Sequence, residues 1–391
     1  MEVFAGWEVV SLSFMAGIYI HVPFCKQACY YCDFHFSTNQ SLREELIQSI
    51  TVEFELQKNY LQGEIIETIY LGGGTPSLLS KRELEVIFNS INKHYRVAPD
   101  PEITLEANPD DLTKEKIQVL KDVGINRVSL GIQSFEDTVL ESLNRAHNSA
   151  EAVKSVLDLR ESGIHNLSID LIHSIPGQDS QMLMHNLAKV IELAPEHISV
   201  YSLTIEEKTV FGKWAAHGKI KATEETQSAH QFEQVMDTLI ESGYQHYEIS
   251  NFSLPGFASK HNSSYWQQKK YLGAGPSAHS FDGDSRQFNV SNNHLYMKSL
   301  KKGIIPFEKE TLTLENKINE YIFTSLRTSQ GCNLSYLNKT YRHDIGTINA
   351  TYIQSLITQG YVIVSGGILL LTRQGKLLAD KIASDLFATL E

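Results

Sequence analysis

The sequence predicts an α/β protein: a partial (β/α)6, TIM-like barrel followed by a smaller C-terminal α+β region. Three observations predict it. Short β-rich runs alternate with helical patterns six times through roughly the first half of the chain. Polar and glycine-rich residues stand directly after the strands, where barrel sites form. The alternation then stops after Thr204.

The strand candidates are 18–22, 68–71, 103–106, 127–130, 167–171 and 198–203. Between them, segments 42–60, 81–94, 114–123, 137–161 and 182–193 carry apolar residues at helical spacing. Such repeats imply parallel strands joined by crossover helices. Cys25, 72–75, 106–108, Gln133, Asp170 and Thr204 follow six different strands, which favours a barrel over an open doubly wound sheet. Beyond Thr204 the pattern predicts a helix over 223–242, a strand over 244–252, and a loop rich in Asn, Ser and Gly reaching Asp284. From about 313 the tail reads helix, helix, hairpin (361–365 and 368–372) and a final helix over 373–390, the outline of a winged-helix-like unit. The expected division is an extension (1–14), a barrel (15–245) and a C-terminal region (246–391).

The 391 residues are 42% hydrophobic with only 10 prolines, enough for a sizeable core and for two structural units. A net charge of −12 argues against a general nucleic-acid binder, because phosphate contacts need a basic surface. For the same reason the winged unit reads as a lid rather than a DNA reader. No apolar run approaches the roughly 20 residues of a membrane-spanning helix. Segment 1–14 has Glu2, no Lys or Arg and no small-residue cleavage site, so it is a poor secretory leader. It reads as an overlong start before Met15 or as a floppy, disordered extension, and a cytoplasmic location is expected. No GxSxG, phosphate-loop GK[ST] or HExxH motif occurs.

Four cysteines in so long a chain exclude a disulfide scaffold. Three of them form Cys25-Lys-Gln-Ala-Cys29-Tyr-Tyr-Cys32, a CxxxCxxC placed directly after the first strand. Three thiolates on one tight loop can hold three irons of a [4Fe–4S] cube and leave one iron open. Zinc accepts the same ligands, with His21 or His35 as a fourth. Neighbouring aromatics, Phe24, Tyr30, Tyr31, Phe34 and Phe36, favour the cluster by offering it a shield. Gly72-Gly-Gly-Thr-Pro76 follows the second strand, and its glycines would let backbone groups approach a ligand closely. Cys332 stands alone beside Gly331 and reads as an inert thiol.

Six blocks in order make the chain recognisable: Tyr19-Ile-His-Val-Pro-Phe-Cys25, Gly72-Gly-Gly-Thr-Pro76, Leu105-Glu-Ala-Asn-Pro109, Ser129-Leu-Gly-Ile-Gln-Ser134, Asn144-Arg-Ala-His147, and Asp170 with Ile175-Pro-Gly-Gln178. From Ile18 to the C-terminus the chain resembles the radical S-adenosylmethionine (radical SAM) superfamily. Within it, the likeness is to the branch holding oxygen-independent coproporphyrinogen III oxidases and HemW-type heme chaperones. The resemblance implies a [4Fe–4S] cluster on Cys25, Cys29 and Cys32, with its open iron binding S-adenosylmethionine. It also implies that Tyr19, Tyr31, Gly73, Gly74, Thr75, Glu106, Gln133, Arg145 and Asp170 contact that cofactor. Arg145 suits its carboxylate, while Glu106 and Asp170 suit an ammonium and ribose hydroxyls. Taken singly, each also has an ordinary reading as a helix cap or surface ion pair. Thr204 and His279 are weaker candidates.

Two features separate the branches. The oxidases carry a further cysteine two residues after the third, where this chain has Phe34. His261-Asn-Ser-Ser-Tyr-Trp266 looks like the HNxxYW motif of the chaperones, and His261 is a candidate heme ligand. Read without the family, His261 better fits a histidine hydrogen-bonded to a loop carbonyl, with Trp266 as a core residue. The resemblance therefore implies a chaperone, not itself an enzyme, that carries heme to haemoproteins such as respiratory cytochromes. The alternative is an oxygen-independent coproporphyrinogen III dehydrogenase. Nucleic acid is not an expected partner; a homodimer and transient membrane association are left open.

Overall fold

The computed structural model describes residues 15–389. The extension expected at 1–14 therefore lies outside the described residues. Six parallel strands come first: β1 (Met15–Val22), β2 (Ile65–Gly73), β3 (Val97–Ala107), β4 (Arg127–Gln133), β5 (Asn166–His173) and β6 (His197–Ser202). Each side chain alternates with the next across the strand. Ile18, Ile20 and Val22, Leu105, Val128 and Leu130, and Leu167 and Ile169 are buried in the main core with apolar residues of the crossover helices. The opposite face carries Tyr19, Tyr70, Glu106, Arg127, Ser129 and Asp170, which bond to or act on one another across the barrel interior. The strands are thus apolar outward and polar inward.

Helices Arg43–Leu56, Lys81–His94, Lys114–Asp122 and Ser180–Leu193 fall where spacing placed them. The expected helix over 137–161 is two helices, Asp137–Ser142 and Ser149–Ser162. Asn144 breaks it with φ +57°, and Asn148 restarts it with a capping box to Glu151. That break places Arg145 at the barrel mouth.

The sheet continues past the barrel strands in both directions. β7 (Gln245–Glu248) and β8 (Asn251–Ser253) form a hairpin that pairs antiparallel with β6, where the sequence suggested one strand. On the other side β9 (Tyr271–Ala274) runs parallel to β1 and leads into the antiparallel strands β10 (His279–Phe281), β11 (Ser285–Asn289) and β12 (Phe307–Thr311). One open 12-stranded sheet results, a barrel with a gap rather than a closed ring. The sheet runs unbroken across residue 245, and its core spans Ala16 to Leu300. A second core, Ile318 to Ala388, belongs to the tail. There, helix Leu314–Leu326 and three shorter helices precede β14 (Val362–Ser365) and β15 (Ile368–Leu371), with β13 (Cys332–Asn333) completing a small sheet. Arg286 binds Glu320 in bidentate fashion at 2.8 Å and ties this tail helix to β11.

Candidate functional site

The loop after β1 carries the three thiols. Cys25 N–H donates to the Ser37 carbonyl at 3.0 Å, and Cys32 N–H to the Cys29 carbonyl at 3.3 Å, folding the segment into a tight turn. All three are part-buried. Thr75 bonds the Cys25 thiol, and Arg145 donates from Nη1 to Cys29 Sγ at 3.3 Å. Burial pushes the Cys32 thiol up to about 11 and that of Cys25 upward too. The Arg145 guanidinium counters this for a thiolate set, which suits an anionic cluster. A zinc ion is a poorer fit. His21 is committed at both ring nitrogens: Nε2–H donates to the His35 carbonyl at 2.9 Å, and Nδ1 accepts from Tyr19 at 3.2 Å. His35 Nε2 is bonded to Asn293. Among the described residues, no three His, Cys, Asp or Glu side chains converge on a single-ion site.

Above this loop the strand ends bring together most of the residues expected to meet S-adenosylmethionine. Glu106 accepts from Tyr70 Oη at 2.9 Å and from Gly73 N–H at 3.1 Å. Burial, with Asp170 nearby, raises its carboxyl to about 7. Asp170 accepts from Ser129 at 3.1 and 3.2 Å and from Ser168 at 3.2 Å, and burial raises it as well. Arg145 Nη2 donates to Asn108 Oδ1 at 2.6 Å and the Gly131 carbonyl at 2.5 Å, while its buried Nε has no partner among the described residues. Gln133 ends β4 at φ +70°, a strained conformation for a residue with a side chain. An orphaned guanidinium N–H beside a strained glutamine fits an anionic, hydrogen-bonding ligand. Tyr31 belongs to the thiol loop itself, its hydroxyl bonded to Cys29. Thr204 lies exposed past β6, apart from this group.

The glycines have a different reason than ligand approach alone. A Cβ on Gly72 would meet Glu106 Oε1 at 2.9 Å, and one on Gly74 would meet the Val22 carbonyl at 2.6 Å. Gly73 has φ +99° and packs on the His21 ring. The run is glycine because the end of β2 and the residue after it lie too close to the end of β1 and to Glu106 for side chains.

The HNxxYW segment is not in a loop. It forms helix Lys260–Trp266, started by Ser259, whose side chain accepts from Asn262 N–H. His261 is 1% exposed, and both ring nitrogens are taken, Nδ1 by Thr68 at 2.7 Å and Nε2 by Tyr265 Oη at 2.8 Å. Burial holds it neutral, down to about 3. His261 therefore presents no nitrogen to a heme iron; it plugs the barrel floor against β1 and β2.

A cavity of about 480 Å³ opens between the thiol loop, the barrel mouth and the tail helix. Tyr19, Gly73 and Glu106 form its inner wall; Phe34, Trp266 and His279 line the remainder, with Thr324 from the tail. The volume suits a cofactor-sized ligand. Phe34, 72% exposed, stands at its edge. Sequence reasoning missed Asn108, Tyr70 and Ser129, which orient Arg145, Glu106 and Asp170. They stood in the recognised blocks or one pleat away on the same strand face, and period-2 spacing would have found them.

Residues 19–190 match the radical SAM superfamily. The chain is similar over nearly its whole length to the heme chaperone HemW of Bacillus subtilis (strain 168), 35% identical over 379 residues covering 94% of this chain and 98% of that protein. The heme chaperone HemW of Lactococcus lactis subsp. lactis (strain IL1403) is 37% identical over 347 residues, covering 87% of this chain and 89% of that one. Among solved structures, coproporphyrinogen III oxidase (HemN) from Escherichia coli, a radical SAM enzyme, superposes with a TM-score of 0.82 at 23% identity. The superposition covers 96% of this chain and 90% of that one and is a likeness of fold.

Proposed function

Since the chain belongs to the HemW family of the radical SAM superfamily, we propose that it is a heme chaperone that delivers heme to haemoproteins. The observation that carries this reading is the cavity beside the thiol loop, edged by the exposed Phe34 where the oxidase pattern has a thiol. An aromatic edge offers a porphyrin plane an apolar face. Cys25, Cys29 and Cys32 are the residues that would hold a [4Fe–4S] cluster, its fourth iron left to S-adenosylmethionine. When bound, that pair supplies reductive one-electron chemistry.

Each polar residue of the mouth then has a task toward the cofactor. Arg145 takes the carboxylate through its unpartnered Nε. Glu106 takes the ammonium, and a neighbouring positive charge draws its raised carboxyl back to the ionised form. Gln133 and Asp170 serve the ribose hydroxyls, while Tyr19, Tyr31, Gly73, Gly74 and Thr75 shape the wall. The reading is of a carrier rather than an enzyme, and it assigns no catalytic residue. The acceptors proposed are respiratory-type cytochromes, reached from the cytoplasm; among the described residues no helix is long and apolar enough to cross a membrane.

The test is paired. Anaerobically reconstituted protein should bind ferric hemin, pass it to an apo-cytochrome, and leave coproporphyrinogen III unchanged in the presence of S-adenosylmethionine and reductant. Decarboxylation without heme transfer would reverse the assignment in favour of the dehydrogenase.

A further inference from the structure

We propose that the iron of the heme cargo is ligated by His279, on β10, rather than by the histidine of the HNxxYW segment; this rests on the chaperone reading above.

Three histidines line the cavity: His21, His35 and His279. An iron ligand needs a ring nitrogen with a free lone pair aimed at open space. His21 fails, with both nitrogens bonded. His35 spends Nε2 on Asn293 at 2.7 Å, which leaves only Nδ1, the nitrogen crowded by its own Cβ and backbone. Neither ring nitrogen of His279 makes a hydrogen bond among the described residues, and the residue is exposed on the cavity wall. Its ring is supported edge-on by Phe288 across the hairpin, centroids 4.8 Å apart at 87°. Burial, aided by Arg286, lowers its pKa, so the imidazole is neutral and has no proton to lose on binding.

The backbone that carries His279 is fixed. Gly273 on β9 lies against the His279 carbonyl so closely that no side chain fits there. Ser280 Oγ accepts from Gly273 N–H at 2.9 Å and donates to the Gly273 carbonyl at 3.3 Å. A ligand on a pinned strand keeps its aim. The same wall offers donors for a porphyrin's carboxylates. Among the described residues the buried Trp266 Nε1–H has no partner, and Lys269 Nζ makes only a 3.8 Å pair with Glu67. Trp266, part of the HNxxYW segment, thus faces the cargo while His261 of the same segment does not.

Full-length protein, His279→Ala and His35→Ala are titrated with ferric hemin, following the Soret band and the low-spin electron paramagnetic resonance signal. The native chain and His35→Ala should give the same imidazole-ligated spectrum. His279→Ala should lose that signature and bind roughly ten- to a hundredfold more weakly, and added imidazole should restore the spectrum. An unchanged His279→Ala spectrum, transfer of the loss to His35→Ala, or failure of imidazole to rescue each overturns the assignment while leaving the chaperone reading in place. A native chain that binds no hemin overturns both.

Discussion

Arg145 donates to the Sγ of Cys29 at 3.3 Å while its own Nε, buried, meets no acceptor among the described residues. One side chain thus faces the thiol loop and keeps a donor in reserve beside it. Arg145→Lys retains the charge but loses the planar fork. A charged hydrogen bond worth about 1.5–3 kcal/mol corresponds to roughly ten- to a hundredfold in affinity. Anaerobic calorimetry should show S-adenosylmethionine binding weakened by that factor, with cluster absorbance retained. Equal affinity in the two proteins would remove Arg145 from the site.

The four cysteines divide by position. Alanine at Cys25, Cys29 or Cys32 should abolish the brown absorbance after anaerobic reconstitution. Cys332 is fully buried in the tail core and bonded to Ser325, and burial pushes its thiol up to about 11. Cys332→Ala should keep the cluster and cost about 1–2 kcal/mol of stability, read by urea unfolding. Cluster loss in this variant alone would reassign the ligands.

Glu106 makes the cofactor-free protein pH-sensitive. Its folded carboxyl titrates near 7, raised from 4.5 by burial. Its contribution is therefore fully present below pH 4.5 and is lost as pH rises through about 7. Such a difference is worth up to about 3 kcal/mol, lowered to about 2 kcal/mol because Glu106 keeps part of its surface open to solvent. Glu106→Gln is accommodated, since the Tyr70 hydroxyl can turn to accept from the amide. Melting temperatures should fall more steeply from about pH 5 to about pH 8 in the native chain than in the variant. Parallel curves would place the titration elsewhere.

Phe34 leaves a large aromatic surface in water, which nothing in the fold requires. Phe34→Ala should change stability by about 0.5 kcal/mol or less yet weaken hemin binding up to roughly tenfold, the scale of a half-buried aromatic contact. Unaltered hemin affinity would show that the cargo does not lie against this residue.

The six strands were legible because their outward faces are apolar with period 2 and the helices between them keep period 3.6. Cys25, Glu106, Gln133 and Asp170 were legible because each stands in the C-terminal half of a strand or just past it, where chain topology alone brings them to one rim, while Arg145, which follows helix Asp137–Ser142, was legible only from its recognised block. Other features depended on partners far away in sequence. Asn144 at φ +57° splits a helix whose apolar spacing looks continuous. Gly72 to Gly74 looked like a ligand cradle, yet their neighbours are Glu106, His21 and Val22. β9 and β10 are four and three residues long, too short for periodicity to show, and β9 pairs with β1 some 250 residues earlier. The segment that places His279 therefore read as loop.

His261 separates motif from ligand. Its ring bridges Thr68 on β2 and Tyr265 on its own helix, and its backbone N–H donates to buried Glu102 at 3.0 Å. Removing the ring opens a gap beside Gly17 and leaves two hydroxyls unpaired in the interior. His261→Ala should therefore cost about 2–4 kcal/mol, seen as a lower urea midpoint. Under native conditions the folded fraction should still give the imidazole-ligated Soret band on hemin addition, because the iron ligand stands on β10. His261→Gln, which can bond one of the two hydroxyls, should recover part of the stability with the same spectrum. Loss of nitrogen ligation in a His261→Gln protein that unfolds at the native midpoint would instead make His261 the ligand, and would require the helix Lys260–Trp266 to turn its ring out of the barrel floor.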